Sequence, residues 1–293
     1  MTLSPKPYPV NPLLVIVGPT ASGKSDLAMK VAQKYTGEII CVDSRTVYKG
    51  MDIGAAKPSQ SDQKAVRHWG LDLVDPGQRF TAADFKKYAQ KVILDIQNRG
   101  KLPILVGGTG LYIDSILFNF GFRADSDLKK RAELEKFSIE QLQEIIKQQD
   151  YKMPGSDRNR RHLIRTIETG GQSGSKATQI RPDATVIGIL PPDEVLKNLI
   201  SKRADKNFDG LVTETRSLLN KYGEVRLAKT AGIAYLTSLR FLKGEISQNE
   251  AKKLIKTGEW QYARRQKTWF RRNPDIQWFG NGQSAYDFLT KHL

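Results

Sequence analysis

The chain has 293 residues, of which 39% are hydrophobic and 27% charged, values that are ordinary for a globular protein. No apolar run approaches the ~20 residues that span a bilayer. The start of the chain has no apolar signal-peptide core, and the single cysteine, Cys41, excludes an internal disulfide or a Cys-based zinc cluster. These features favour the cytoplasm. The formal net charge of +16 favours a nucleic-acid partner over the alternative that the surface is basic without binding one.

The first predicted element is a buried strand, the apolar run Leu13–Val17, and a helix is predicted after residue 25. The segment between them fits the P-loop pattern G-x-x-x-x-G-K-[ST]. Backbone N–H groups at the start of the helix form an anion site, Lys24 adds positive charge, and the Ser25 hydroxyl can ligate Mg²⁺. The segment therefore predicts a site for a pyrophosphate or triphosphate group, formed by Gly18, Pro19, Thr20, Ala21, Ser22, Gly23, Lys24 and Ser25.

The elements that follow predict an α/β fold, a P-loop NTPase-like parallel sheet flanked by helices. Apolar runs predict further strands at residues 38–42, 103–106 and 184–190 and an edge strand at 71–74. Helical patterns cover residues 82–98, 125–149 and most of 193–272, with a flexible break at 170–175. The expected core is residues 1–121 and 181–293, with basic C-terminal helices. Residues 122–180 are predicted to form a helical insertion domain.

Three loops follow strands of this predicted sheet, and ligands bind at that edge of a parallel sheet. They are the P-loop and residues 43–46 and 107–110. Asp43 stands where a general base or a magnesium-binding carboxylate would lie, although a helix-capping or turn aspartate fits the same position. The glycine pair before Thr109 allows a close approach of the backbone to a ligand, or forms only a tight turn.

Residues 18–25, 43–58 and 106–112 together resemble the bacterial tRNA dimethylallyltransferase family, and residues 159–165 and 261–271 continue the resemblance. The resemblance covers nearly the whole chain in order. It implies transfer of the dimethylallyl group from dimethylallyl diphosphate to N6 of adenosine 37 in tRNAs, with release of diphosphate and with Mg²⁺ as cofactor. The P-loop would then hold the leaving diphosphate. The other partner would be the tRNA anticodon loop, and the insertion over residues 122–180 would contact the tRNA.

The resemblance also implies roles for single residues. Asp43 matches the base of the family, and Thr20, Lys24 and Arg203 match positions near the diphosphate, although Arg203 also fits an ordinary solvated helix arginine. The implied tRNA-binding residues are Asp43, Ser44, Arg45, Thr46, Thr109, Arg161, His162, Leu163, Ile164, Arg165, Arg264, Arg265 and Lys267. About half of the C-terminal basic stretch also fits a solvated helix with a buried stripe, because Tyr262, Gln266 and Trp269 share one helical face.

The chain departs from the family pattern at some positions. Arg45 and Thr46 stand where many relatives have an uncharged residue and glutamine, and Leu199 replaces an arginine one helical turn before Arg203. These departures bear on tRNA contact and on diphosphate clamping.

Three alternative functions remain open from the sequence. They are a small-molecule kinase that uses ATP, an isopentenyltransferase that acts on free adenine nucleotides, and a nonenzymatic RNA-binding protein with a relict nucleotide site. The block 43–58 and the basic C-terminal helix argue against the kinase, and the excess of positive charge argues against the free-nucleotide transferase. Retention of Lys24, Ser25 and Asp43 together argues against a nonenzymatic protein. We expect one chain to be self-sufficient, as a monomer without an obligate protein partner.

Overall fold

The computed structural model describes residues 12–122, 128–172 and 174–293. The chain divides into two compact units, of which one comprises Met1–Leu117 with Ile180–Leu293 and the other comprises Phe118–Gln179. The first unit contains a β-sheet. The described part of the second unit is helical, apart from an isolated bridge between Gly121 and Ser175.

The described residues form one sheet with parallel pairing throughout, and its strands are β1 (Leu13–Val17), β2 (Gly37–Val42), β3 (His68–Trp69), β4 (Leu102–Gly107), β5 (Ala184–Ile189) and β6 (Gln277–Phe279). Their spatial order is β3-β2-β4-β1-β5-β6. Every residue of β1 and β4 is buried, which explains why these strands are continuous apolar runs. The predicted α/β fold with a parallel sheet is confirmed.

The predicted edge strand at residues 71–74 is wrong. The strand at this edge of the sheet, beside β2, is β3. Val74 makes only an isolated bridge with Tyr48. Gly70 and Asp72 have φ values of 81° and 53°, in the left-handed region, and these two residues turn the chain away from the sheet. The short strand β6 was not predicted, because its three residues are only partly buried and carry no long apolar run.

Helices connect and follow these strands. In chain order, the helices of the described residues are α1 (Lys24–Lys34), α2 (Gln60–Ala65), α3 (Ala82–Asn98), α4 (Gly110–Leu117), α5 (Leu128–Leu134), α6 (Ile139–Gln148), α7 (Arg160–Glu168), α8 (Asp193–Tyr222), α9 (Glu224–Thr230), α10 (Ile233–Leu242), α11 (Gln248–Phe270) and α12 (Gly282–His292). The predicted helix over residues 82–98 coincides with α3. A capping box starts this helix, because the Thr81 hydroxyl accepts the Asp84 N–H and the Asp84 carboxylate accepts the Thr81 N–H. The predicted helical run over 193–272 consists of α8, α9, α10 and α11.

Two apolar clusters organise the first unit. In one, buried residues of α1 and α12 pack against the sheet residues Leu14, Ile16 and Ile104. In the other, the segment that follows Asp43 packs against α8, α10 and α11; its buried members include Val47, Met51, Phe208, Leu211, Tyr235, Leu239 and Ile255. The second cluster therefore lays three C-terminal helices beside the carboxyl ends of β1, β2 and β4.

The second unit packs α5, α6 and α7 around its own core, which contains Leu134, Leu142, Ile146, Leu163, Ile164 and Ile167. The helix predicted over 125–149 is two helices, because Ser138 caps the start of α6 with its hydroxyl, and residues 125–127 lie outside the described part of the chain. Leu163 and Ile164 are 0% and 2% exposed. The prediction that these two side chains contact tRNA is therefore wrong, since core packing occupies them.

Candidate active site

The P-loop lies between β1 and α1, as the sequence predicts. Gly18 has a φ of 157°, and a Cβ atom there would lie 2.5 Å from the Ile189 carbonyl oxygen, so the loop needs glycine at this position. Because α1 begins at Lys24, the unpaired N–H groups of its first turn lie at the loop. The Lys24 ammonium donates a hydrogen bond to the Pro19 carbonyl at 3.1 Å. The Ser22 hydroxyl is buried and has no hydrogen-bond partner among the described residues.

Asp43 follows the last residue of β2 at the same edge of the sheet. Its carboxylate accepts the Arg45 N–H at 2.7 Å. Burial raises the pKa of Asp43, against the opposing effects of this hydrogen bond and of the Lys24 charge. Asp43 is therefore a stronger base than an exposed aspartate, and its turn points it toward the P-loop lysine.

The turn after β4 is joined to the Asp43 turn by hydrogen bonds of Thr109. The Thr109 hydroxyl accepts the Ser44 N–H at 3.0 Å, and the Thr109 N–H donates to the Val42 carbonyl at 3.3 Å. A Cβ atom on Gly107 would lie 2.0 Å from that same carbonyl, so glycine is required for this approach of the two strands. The structure thus brings together the three loops that the sequence singled out.

Helix α11 adds a set of site residues that sequence reasoning missed. Gln266, which is 4% exposed, accepts the Thr20 N–H at 2.8 Å and donates to the Gly108 carbonyl at 3.0 Å. One helical turn earlier, Tyr262 is hydrogen-bonded to Thr109, and burial raises the pKa of its hydroxyl. The sequence contained one signal for this role, since a glutamine between two aromatic residues on a buried helical face needs polar partners.

Arg203 lies at the P-loop as the resemblance implies. Its guanidinium donates to the Thr20 hydroxyl at 2.7 Å and to the Glu259 carboxylate at 2.6 Å. The pKa of Lys24 is lowered to about 8 by burial and by the Arg203 charge, although Asp43 and Glu259 oppose the shift. Leu199, one turn before Arg203, lines the cavity at the P-loop together with Arg203. Arg203 is the cation of α8 that contacts Thr20.

Two cavities of the first unit meet at these residues. One has a volume of about 530 Å³ and is lined by the P-loop and the ends of β2 and β4; we call it the donor cavity. The other has a volume of about 310 Å³ and is lined mainly by α8, α10, α11 and residues 53–56; we call it the acceptor cavity. The residues that line both are Thr20, Asp43, Ala55, Ala56, Arg203 and Tyr262.

Comparison with known proteins identifies the family to which the chain belongs. The family model of the IPP transferases matches residues 46–273. The chain belongs to the IPP transferase family. A tRNA dimethylallyltransferase of Pelotomaculum thermopropionicum is 37% identical over 283 residues, which cover 92% of this chain and 90% of that protein. The family resemblance and the prenyltransferase class that the sequence predicts are confirmed.

Solved structures of IPP transferases share the fold of this chain. The full-length tRNA isopentenylpyrophosphate transferase of Bacillus halodurans is 30% identical, covers 96% of both chains and superposes with a TM-score of 0.72. A eukaryotic dimethylallyltransferase acting on tRNA has a TM-score of 0.76 at 23% identity, over 94% of this chain and 76% of that one, which shows a common fold.

The cations predicted to contact tRNA differ in their surroundings in this IPP transferase. Arg264 and Arg265 on α11 are exposed, and Arg265 also lines the acceptor cavity. Lys267 is instead ion-paired with Asp193, so its ammonium braces α11 against α8. Thr46 is buried, and its hydroxyl donates to the Asp43 carbonyl at 3.3 Å. Lys267 and Thr46 are therefore occupied by contacts within the chain.

Arg45, the departure from the family pattern, is accommodated by the fold. Its guanidinium donates to the Thr230 carbonyl at 2.5 Å, at the end of α9, and lies near Gly232 at the acceptor cavity. In the second unit, Arg161 and His162 are exposed on α7, and Arg165 pairs with Glu168 at 3.2 Å. Within the described residues, no helix is long and apolar enough to cross a bilayer, and no group of three His, Cys, Asp or Glu side chains is placed to bind a metal.

Proposed function

We propose that the protein transfers the dimethylallyl group of dimethylallyl diphosphate to N6 of adenosine 37 in tRNA. One observation carries the proposal: Asp43 lies where the donor cavity, which contains the P-loop, meets the acceptor cavity. A donor held by its diphosphate and an acceptor base entering from the other cavity would meet at this carboxylate. The names of the relatives support the same reaction.

The donor cavity suits a diphosphate. The free N–H groups at the start of α1, the Lys24 ammonium and the Arg203 guanidinium supply positive charge there. The unpartnered Ser22 hydroxyl is a further polar group that an oxyanion would satisfy. Each of these groups stabilises the charge that develops on the leaving diphosphate.

A magnesium ion fits this site through Ser25. The Ser25 side chain is exposed at the first turn of α1, beside the P-loop amides, and its hydroxyl oxygen is a ligand type that Mg²⁺ accepts. Mg²⁺ keeps several water or phosphate oxygens, so one hydroxyl of the protein is a sufficient anchor. When bound, the ion would add positive charge against the diphosphate, as in other phosphate-binding loops.

The chemistry is a displacement at C1 of the prenyl donor. The bond between C1 and the diphosphate oxygen breaks, and a bond forms between C1 and the adenine N6. N6 loses one proton, which we assign to the Asp43 carboxylate. The raised pKa of Asp43 suits it to accept this proton from a weakly basic exocyclic amine. Thr20 and Arg203 position the diphosphate, since they are hydrogen-bonded to each other at 2.7 Å.

The acceptor cavity suits a purine that has left its stack. Ile53, Ile200 and Leu211 form apolar walls, and Asp43 supplies the polar group at the junction. A base in the anticodon loop must be extruded before its N6 atom can reach the half-buried Asp43 carboxylate. Arg264 and Arg265 are exposed on α11, and Arg265 lines this cavity, which supports contacts of both with RNA phosphates.

The second unit is proposed to contact the anticodon arm through the exposed side chains of Arg161 and His162, together with Arg165. The first unit carries the P-loop, Asp43 and Arg203 in one chain, which supports catalysis by a monomer without a protein partner. A tRNA substrate supports a cytoplasmic location.

A direct assay tests the proposal and its alternatives. The protein is incubated with dimethylallyl diphosphate and Mg²⁺, together with either tRNA or AMP, and nucleosides are analysed by mass. We expect prenylated adenosine from tRNA and none from AMP. Prenylation of AMP alone would instead support the free-nucleotide transferase, and ATP hydrolysis coupled to phosphorylation of a small molecule would support the kinase.

Replacement of the proposed base is the sharper experiment. Asp43→Asn keeps the shape of the side chain and removes the base, so we expect kcat to fall by about 10²–10⁴-fold while tRNA binding is kept. Asp275→Asn is the matched control, because that exposed side chain lies outside both cavities. A normal transfer rate in Asp43→Asn would remove Asp43 from the reaction.

A further inference from the structure

The block 43–58 extends well beyond the residues that the reaction uses. Residues 53–56 of this block line the acceptor cavity, and Ala55 and Ala56 also line the donor cavity. This segment is therefore the wall between the two substrates. The small side chains of the wall contribute no ionisable or nucleophilic group, so its contribution to the reaction depends on where the backbone is held.

One carboxylate on α8 holds this wall. The Glu214 Oε2 atom accepts the Asp52 N–H at 3.0 Å and the Ile53 N–H at 2.8 Å. The Oε1 atom accepts the Gly54 N–H at 3.2 Å and the Tyr235 hydroxyl at 2.6 Å. Three successive backbone donors and one phenol thus converge on a single charged acceptor, and such charge-assisted hydrogen bonds are stronger than neutral ones.

Packing and a second anchor restrict the same segment. A Cβ atom on Gly54 would lie 2.5 Å from the Tyr235 ring, so the backbone rests directly on that ring. At the other end of the segment, the Lys57 ammonium is buried and donates to the Tyr48 carbonyl at 2.8 Å, to Asp52 at 2.7 Å and to Asp72 at 2.6 Å. Both ends are therefore fixed by a charged side chain.

The position of Glu214 on α8 links the wall to the diphosphate site. Arg203 and Glu214 are eleven residues apart, which is about three helical turns, so the two side chains project from one face of α8. Arg203 contacts Thr20 of the P-loop, and Glu214 contacts the wall. A single rigid helix thus sets the distance between the diphosphate clamp and the wall of the acceptor cavity.

We propose that Glu214 is a positioning residue for the transfer, which acts by fixing residues 53–56 as the wall against which the acceptor adenine rests beside Asp43. The inference rests on the proposed function. Displacement of the wall would move N6 relative to the prenyl C1 atom. A misplacement of 1 Å in a bound reactant can cost about 100-fold in rate. The effect should therefore fall on kcat more than on the affinity for either substrate.

The test compares Glu214→Gln with Asp209→Asn, a control that also removes one carboxylate from α8 but at an exposed position, outside both cavities. In Glu214→Gln, the new amide N–H₂ faces backbone N–H donors. With dimethylallyl diphosphate and tRNA as substrates, we expect kcat to fall about tenfold and both KM values to change by less than about threefold. The salt dependence of tRNA binding should stay as in the wild type, because Glu214 is not placed at the phosphates.

A kcat equal to that of Asp209→Asn would overturn the proposal, as would a loss confined to the KM for tRNA. If Glu214→Gln does not fold, Tyr235→Phe provides the second variant, because it removes only the hydroxyl that helps orient the carboxylate. We expect kcat to fall about threefold in Tyr235→Phe, and an unchanged kcat would then count against the proposal. Absence of transfer by the wild-type protein would contradict the proposed function itself and is thereby distinguished.

Discussion

Gln266 is expected to be the residue of α11 on which the geometry of the diphosphate site depends most. Its amide spans the Thr20 N–H and the Gly108 carbonyl, at 2.8 Å and 3.0 Å. Gln266→Met keeps the length and volume of the side chain and removes both hydrogen bonds. The Gly108 carbonyl, which is buried, and the Thr20 N–H, which is partly buried, both lose their partner.

The magnitude follows from the cost of leaving polar groups unpaired. A buried donor or acceptor without a partner costs about 1–3 kcal/mol, and the partly buried Thr20 N–H falls at the lower end of this range, so the two together cost about 2–4 kcal/mol. This is a large part of the ~5–15 kcal/mol that stabilises an ordinary domain. Because one of the groups is the N–H of Thr20, the P-loop itself loses a constraint. We therefore also expect the KM for dimethylallyl diphosphate to rise about tenfold, which corresponds to about 1.4 kcal/mol of binding.

Two measurements check this prediction. Urea unfolding gives the free energy of unfolding, and steady-state transfer with saturating tRNA gives the KM for dimethylallyl diphosphate. Gln261→Met is the matched control, because Gln261 is an exposed glutamine of the same helix outside both cavities. Gln266→Glu separates the two bonds, since a carboxylate still accepts the Thr20 N–H and cannot donate to Gly108. If Gln266→Met matched Gln261→Met in stability and KM, the bridging role of Gln266 would be refuted.

Other groups give further predictions. The lowered pKa of Lys24, about 8, means that its charge is lost above pH 8 in the free enzyme, so affinity for inorganic pyrophosphate should fall up to tenfold per pH unit there, and Lys24→Ala should abolish that dependence. Arg264→Ala and Arg265→Ala should each weaken tRNA binding and reduce its salt slope by about one, which Arg216→Ala, an exposed arginine of α8, should not do. Glu38 pairs with Arg99, and this pairing lowers the pKa of Glu38 to about 2. The stability that the ionised Glu38 adds is therefore complete above about pH 4.5 and is lost as the pH falls toward 2. The stability of Glu38→Gln, measured by acid unfolding, should not show this loss.

The sequence predicted the parts of the site that depend on local signals. The P-loop, Asp43 and Thr109 each follow an apolar strand, and parallel strands place their carboxyl ends at one edge whatever the spacing between them along the chain. The contacts from α11 could not be predicted in this way. Gln266 lies 246 residues after Thr20, and only the packing of α11 against the sheet edge brings them together.

The error at Leu163 and Ile164 has a physical reason in helix periodicity. Both residues lie within the arginine-rich motif 159–165, to which the family resemblance assigns tRNA contact as a whole. On α7, however, Arg161 and Arg165 are four residues apart and share one face, whereas Leu163, Ile164 and Ile167 lie on the face that is buried. The hydrophobic pattern of the run therefore separates the core residues from the cations, even where the composition does not.

The net charge of +16 favoured nucleic acid, yet the cations of α11 do not all serve that purpose. Lys256 pairs with Asp205 at 2.7 Å, Lys267 pairs with Asp193, and Glu259 holds Arg203 at 2.6 Å. These three pairs join α8 to α11, so part of the positive charge maintains the contact between the helix of the diphosphate clamp and the helix of Gln266. Arg264 and Arg265 remain exposed on α11. The basic residues of α11 are therefore divided between ion pairs within the chain and exposed arginines, which is why a count of basic residues overestimates the number of phosphates that this helix could neutralise.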